Sequence, residues 1–189
     1  SSINLGFSAV SRIQDVENAV PSFNKNTNAF SGRLNFSKGN TYTNIEYVIK
    51  DKDALVEFKT VKTAKLATGN ALFFNTGYSK KGFGIDATFR RLENMSFFSD
   101  REQEGNLYNQ QVLNYIPSLT KQHDYSLTNI YVYQAQPKLS YNPIGKSGEI
   151  GAQFDVYYSI KKGSSLGGKY GTKLAFNYAT WYGLDAKYN

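Results

Sequence analysis

An all-β fold is predicted: an antiparallel sheet whose strands are long enough to form the wall of a transmembrane β-barrel, or part of a larger one. Three observations predict it. Apolar and polar residues alternate with a period of two in segment after segment, which puts successive side chains on opposite faces of a strand. The segments run about ten residues, where soluble strands run about five or six, and about ten tilted residues cross a hydrocarbon layer. One face is aromatic while the other carries charged and small polar groups, as in a wall with lipid on one side and water on the other.

The clearest strands are two. From Phe83 the run FGIDATFRR sets Phe83, Ile85, Ala87 and Phe89 against Gly84, Asp86, Thr88 and Arg90. From Ile150 the run IGAQFDVYYSIK sets Ile150, Ala152, Phe154, Val156, Tyr158 and Ile160 against Gly151, Gln153, Asp155, Tyr157 and Ser159. An earlier strand has Thr43, Ile45, Tyr47 and Ile49 on its apolar side and Asn44 and Glu46 opposite; a first one covers 3–9. Lys50 to Asp53 reads as a turn of alternating charges, with a weaker strand over 54–61 and its continuation, or a rim loop, over 62–65. Segments 71–78 and 82–90 flank Ser79-Lys80-Lys81 as a hairpin. Residues 125–134 form a further strand, and 150–161 and 172–182 are joined by the glycine-rich 163–171. About eight strands result, within a single domain over 1–189. Its long loops lie near 11–32, which is rich in Asn and Ser with a helical turn around 14–19, and near 92–123, with a short helix over 107–115.

Bulk properties bound the function. The 189 residues are 40% hydrophobic with a mean hydropathy of −0.49, which a barrel also shows because half of each strand faces water. No apolar run reaches the eighteen or so residues of a membrane helix. Tyr (15) and Phe (13) suit the aromatic girdles at a membrane interface. With no cysteine and one histidine, His123, zinc sites built from Cys and His are excluded, and His123 reads as a surface residue beside Asp124. The net charge of +7 and pI near 9.4 call for an acidic partner. The basic residues sit at segment ends, as in Lys80-Lys81, Arg90-Arg91 and Lys161-Lys162. That distribution suits a charged rim near a membrane surface better than a nucleic-acid-binding face. The first residues carry no secretory signal, and both ends of the sequence read as cut from a longer exported protein.

Motifs for chemistry are few. The run from Gly163 to Tyr170 nearly fits a phosphate-binding loop. However, Tyr170 replaces the hydroxyl residue that would hold magnesium, and a strand follows where the motif requires a helix. A turn is the better reading. Glu46, Asp86, Arg90 and Asp155 fall on the polar face and read as lumen-facing. A glycosidase would need two such carboxylates about 5 to 10 Å apart, and salt-bridged lumen residues are the simpler account. Phe83, Ile85, Phe89, Phe154, Val156 and Tyr158 read as lipid-facing. Asn35 and Asn94 begin matches to the N-glycosylation acceptor, a pattern short enough to arise by chance.

Six stretches carry a family resemblance: EYVIKDKDA (46–54), NTGYSKKGFGID (75–86), RRLENMSFFSDR (90–101), LNYIPSLTKQH (113–123), GEIGAQ (148–153) and KGSSLGGKYGT (162–172). From about residue 40 onward the chain resembles large, uncharacterised outer-membrane β-barrel proteins of Bacteroidota, known as a domain of unknown function. Phe98 stands where that pattern has an arginine. The resemblance implies a larger barrel to which this chain contributes part of the wall, and it brings no catalytic residues or cofactor. The expected role is non-enzymatic, as an accessory or structural subunit of an outer-membrane complex. Outer-membrane lipid and lipopolysaccharide are the expected surroundings, and other outer-membrane proteins or surface lipoproteins the partners. Asp100, Arg101, Tyr108 and Tyr115, in a loop mixing charge and aromatics, are candidates for that contact. A porin-like channel for small solutes and a secreted β-sandwich that binds or processes carbohydrate are the alternatives.

Overall fold

The computed structural model describes residues 1–21, 23–57, 60–95 and 146–185. Among them the protein is all-β, with seven strands: β1 (Ser2–Ile13), β2 (Asn26–Lys38), β3 (Thr41–Glu57), β4 (Thr60–Lys80), β5 (Phe83–Glu93), β6 (Lys146–Ile160) and β7 (Thr172–Asp185). They form one sheet in chain order, every neighbouring pair antiparallel. The sheet is open, with β1 and β7 at its edges.

This up-and-down order sorts the connections by end. Turns 39–40 and 81–82 and the 161–171 connection lie at one end of the sheet; at the other, β1 and β2 are joined by 14–25, β3 ends and β4 begins, and β5 ends and β6 begins. Gly39 and Gly82 hold positive φ (57° and 83°) in the two-residue turns, a backbone shape that costs glycine least. The glycine-rich connection is closed on itself, with Gly163 N–H donating to Gly168 O at 2.7 Å and Ser164 Oγ to Lys161 O at 2.7 Å. No helix follows it, since β7 begins at Thr172, so the turn reading stands.

Several sequence expectations need correction. The loop placed near 11–32 is shorter, spanning 14–25 between β1 and β2, and no helix forms around 14–19. The missed strand, β2, alternates Phe30, Leu34 and Phe36 with Ser31, Arg33, Asn35 and Ser37. Gly32 interrupts the apolar side, and Asn and Ser are ordinary on a polar one. The charged run Lys50–Asp53 is not a turn: β3 continues through it, with register shifts at Lys50/Asp53 and Ala54/Leu55. Such a bulge places an extra residue on one strand and re-aims the side chains beyond it. Here it brings Asp53 onto the side of Lys50, to which Asp53 would be opposed in a regular strand. The strand expected over 54–61 is instead the end of β3 and the start of β4. β5 extends to Glu93, past the expected start of the loop near 92–123. The rest of that loop, the helix over 107–115 and the strand over 125–134 lie outside the described residues.

The two faces follow from the register. On one, Ile3, Leu5 and Phe7 of β1 continue through Phe30 and Leu34, Ile45 and Tyr47, Leu72 and Phe74, Ile85 and Phe89, Phe154 and Val156, to Phe176 and Tyr178 of β7. Many of these are open to solvent, from Ile85 at 39% to Phe7 at 83%. The other face carries Arg12, Thr27, Ser31, Glu46, Lys50, Asn75, Thr88 and Asp155, all buried. It also holds a small apolar cluster, Val48, Ala71, Leu92 and Met95, with Phe73 packed against it. This is the reverse of a soluble sheet, which buries its apolar side. Among the described residues no second layer lies on either face, and the polar side chains are hydrogen-bonded to one another, as Arg12 to Thr27, Ser31 to Glu46 and Asn75 to Thr88.

Candidate functional site

Among the described residues, the buried polar face brings together charged and hydrogen-bonding side chains from several strands. Two clusters occupy it, each built by side chains that reach past their neighbouring strand.

The first lies toward the end with the longer connections. Arg12 of β1 passes β2 and meets Asp53 of β3, with Nη2 at 2.6 Å from Oδ1 and Nη1 at 3.3 Å from Oδ2. On the way Nη2 donates to Thr27 Oγ1 at 3.0 Å. Lys50 Nζ approaches the same carboxylate at 3.7 Å. All three charged side chains are at most 6% exposed. A buried charge is tolerated when it is paired and its remaining groups are bonded, and the bulge in β3 is what delivers Asp53 to its partners. Nearby, Ser31 Oγ donates to Glu46 Oε1 at 2.7 Å, while Glu46 is only 2% exposed.

The second cluster follows a row of register partners across β3 to β7: Tyr42, Gly77, Asp86, Asp155 and Asn177. Tyr42 Oη donates to Asp86 Oδ2 across the whole width of β4. Gly77 makes this possible, because a Cβ there would lie 2.5 Å from the tyrosine ring. Asn75 Nδ2 donates to Asp86 Oδ1 at 3.0 Å and to Thr88 Oγ1 at 3.0 Å. Asp155, 3% exposed, accepts from Gln153 Nε2 at 3.1 Å and from Asn177 Nδ2. Asp86 and Asp155 are direct cross-strand partners, whose Cβ atoms lie roughly 4.5–5.5 Å apart in such a pair. Neutral donors ring both carboxylates and offset the repulsion that two facing acids would otherwise have.

The four polar-face candidates, Glu46, Asp86, Arg90 and Asp155, thus share one face, with Asp86 and Asp155 brought side by side and Glu46 in a separate row that it shares with Arg90 across Phe73. Arg90 stands opposite Phe73 and Gly151, two pleat repeats along β5 from Asp86 with Thr88 between them. The six apolar candidates, Phe83, Ile85, Phe89, Phe154, Val156 and Tyr158, lie together on the opposite face of β5 and β6. Asp100, Arg101, Tyr108, Tyr115 and His123 lie outside the described residues. Sequence reasoning missed Arg12, Asp53, Lys50 and Tyr42. Arg12 was legible as a lone charge in an apolar strand, but Asp53 was hidden by the bulge. Asn94, the second glycosylation match, is buried and donates Nδ2 to Thr68 O at 3.2 Å. Among the described residues no group of three or more His, Cys, Asp or Glu is placed to hold a metal ion.

Fold and face together define an antiparallel β-sheet protein with one hydrogen-bonded polar face and one apolar face. The chain belongs to a family described as a family of unknown function (DUF6029), whose model matches residues 1–189. The match includes the first forty residues, which the sequence resemblance had left out. No curated protein and no solved structure matches the chain.

Proposed function

We propose that this chain forms part of the wall of a bacterial outer-membrane β-barrel, of the kind found in Bacteroidota. Its role there is non-enzymatic, as a structural or accessory subunit of an outer-membrane protein complex. The observation that carries the reading is the inverted amphipathy: carboxylates and guanidinium buried on one face, phenylalanine, leucine and tyrosine exposed on the other. In water, leaving so large an apolar face uncovered is unfavourable by about 25 cal/mol for each Å², and contiguous patches above a few hundred Å² mark an interaction surface. Hydrocarbon is the covering that suits a face made of side chains from all seven strands. A β-sandwich would need a second sheet on that face, and none lies there among the described residues. No helix of the described residues is long and apolar enough to cross a membrane, so strands would carry the span.

The structural role is favoured by how the polar face spends its charges. Arg12, Lys50 and Asp53 are bonded to one another, where a conducting path would present groups of one sign to passing ions. The paired Asp86 and Asp155 favour a second reading, a cation-preferring channel, at that one level of the wall.

Isolated membranes washed with alkaline carbonate test the main proposal. The protein is expected to stay in the pellet, to need detergent for release, and to migrate differently on gels before and after boiling. Release by carbonate alone refutes it. Conductance steps in planar bilayers would select the channel over the scaffold.

A further inference from the structure

The two ends of the sheet differ in charge as sharply as its two faces differ in polarity. At the end with turns 39–40 and 81–82, Lys38 flanks the first turn, Lys80 and Lys81 the second, and Lys161, Lys162, Lys169 and Lys173 surround the 161–171 connection. All are exposed. No Asp or Glu occurs in the three turns or their flanking residues, 37–42, 79–84 and 159–173. At the opposite end acids and bases are mixed and paired, as in Lys25 with Asp15, Arg12 with Asp53, and Arg91 with Glu93. Aromatic and aliphatic side chains accompany the lysines. Tyr78 and Phe83 stack obliquely, ring centroids 6.3 Å apart, with Lys80 Nζ 6.0 Å from the Phe83 ring. Leu166 and Tyr170 project from the third connection at 75% and 87% exposure, Lys169 Nζ lying 5.5 Å from the Tyr170 ring.

Lysine interleaved with Tyr, Phe and Leu is the composition that settles at the boundary of headgroups and acyl chains. The rings and stems enter the boundary while the ammonium groups meet phosphate. Resting on the barrel reading above, we infer that this lysine rim is seated among anionic phospholipid headgroups in the periplasmic leaflet. Charge supplies the choice of partner, since an unbroken set of cations is complementary to phosphodiester anions and unsuited to a neutral surface. Connection length supplies the choice of leaflet. Outer-membrane barrels have short periplasmic turns and longer extracellular loops, and the lysine end joins its strands through 39–40, 81–82 and 161–171, whereas β5 and β6, joined by the longest connection, 94–145, part at the other end.

Because these 189 residues carry no cysteine, single-cysteine labelling within them tests the leaflet, with the unsubstituted protein as the background control. In cells exporting the full-length protein, Ser165→Cys is expected to resist a membrane-impermeant maleimide until the outer membrane is opened. Glu17→Cys, at the opposite end, is expected to react at once. Labelling of Ser165→Cys in intact cells overturns the placement. Protein found in the soluble fraction of the same cells refutes the barrel reading itself. The lipid is tested in vesicles of phosphatidylcholine with and without phosphatidylglycerol. The wild type is expected to unfold at higher denaturant with the anionic lipid, a difference that molar salt abolishes. The variant combining Lys80→Gln, Lys81→Gln, Lys161→Gln and Lys162→Gln is expected to lose most of that difference while still inserting. Equal midpoints for the wild type in both lipids overturn the inference. A difference that survives both salt and the four substitutions overturns it too, since its source would then lie elsewhere on the protein.

Discussion

Replacing Phe154 by arginine separates hydrocarbon from water as the medium on the apolar face. Phe154 is 44% exposed and pairs across the strands with Ala87 and Tyr178. It lies six residues from Ile160, where β6 ends. At roughly 3.3 Å per residue and a tilt of about 40°, that places it about 15 Å below the rim. Half of a hydrocarbon layer of about 30 Å is the same depth, so on the proposed barrel reading Phe154 would sit near the midplane. An arginine there costs about 2–4 kcal/mol in a barrel wall, and the cost falls to about 0–1 kcal/mol near the interface. Tyr158, on the same face two residues from the strand end, is the shallow control. The expected result is therefore a gradient, with Phe154→Arg lowering stability by about 2–4 kcal/mol and Tyr158→Arg by no more than about 1. Urea titration of protein folded into lipid vesicles, followed by tryptophan fluorescence, measures both. In water an exposed substitution stays within about 0.5 kcal/mol, and under a second protein layer depth from the rim would not order the costs. A flat response, at either low or high cost, would refute the reasoning.

Three further substitutions test the polar face. Arg12→Ala removes the 2.6 Å ion pair to the buried Asp53 and is expected to cost about 3–5 kcal/mol. The double variant Arg12→Ala/Asp53→Ala should recover part of that loss in the same titration. Gly77→Ala drives a methyl group into the Tyr42 ring and is expected to cost about 1–3 kcal/mol. Combined with Tyr42→Ala, most of the cost should be shared instead of added, which a double-mutant cycle reads directly. Ser31→Ala removes a 2.7 Å hydrogen bond to the buried Glu46 carboxylate, for an expected loss of about 1.5–3 kcal/mol, seen as a lower urea midpoint with an unchanged slope.

Where the alternation is unbroken, as over Phe83–Arg90 and Ile150–Ile160, sequence alone places each side chain on its face. The reason is geometric: a period of two leaves no freedom once the strand is granted. The same logic fails wherever an extra residue enters. Asp53 is an odd number of positions from Lys50, so regular alternation puts the two on opposite faces, and only the register shift reunites them. β2 was obscured differently. Its polar side is Ser, Asn and Arg, residues that mark loops in a soluble frame but are ordinary where a strand's second face is wet. The pairing of Asp86 with Asp155 was beyond reach because strand register depends on turn lengths and on which strands are neighbours. The connection between these two strands is 94–145, too long to set a register from sequence.

The contacts Arg12–Asp53 and Tyr42–Asp86 each leap over one strand, and that has a mechanical consequence. Second-neighbour strands in a flat sheet stand roughly 9–10 Å apart, and a brace tied between them on one side shortens the chord beneath the arc. Flattening the sheet would stretch both braces at once, so bending is written into the side chains and does not wait on the surrounding medium. On the proposed barrel reading, a sheet braced in this way is expected to keep its bend in a detergent micelle much as in a bilayer, and an insertion that unseats either brace to relax it locally, leaving the ladder of strand pairs intact.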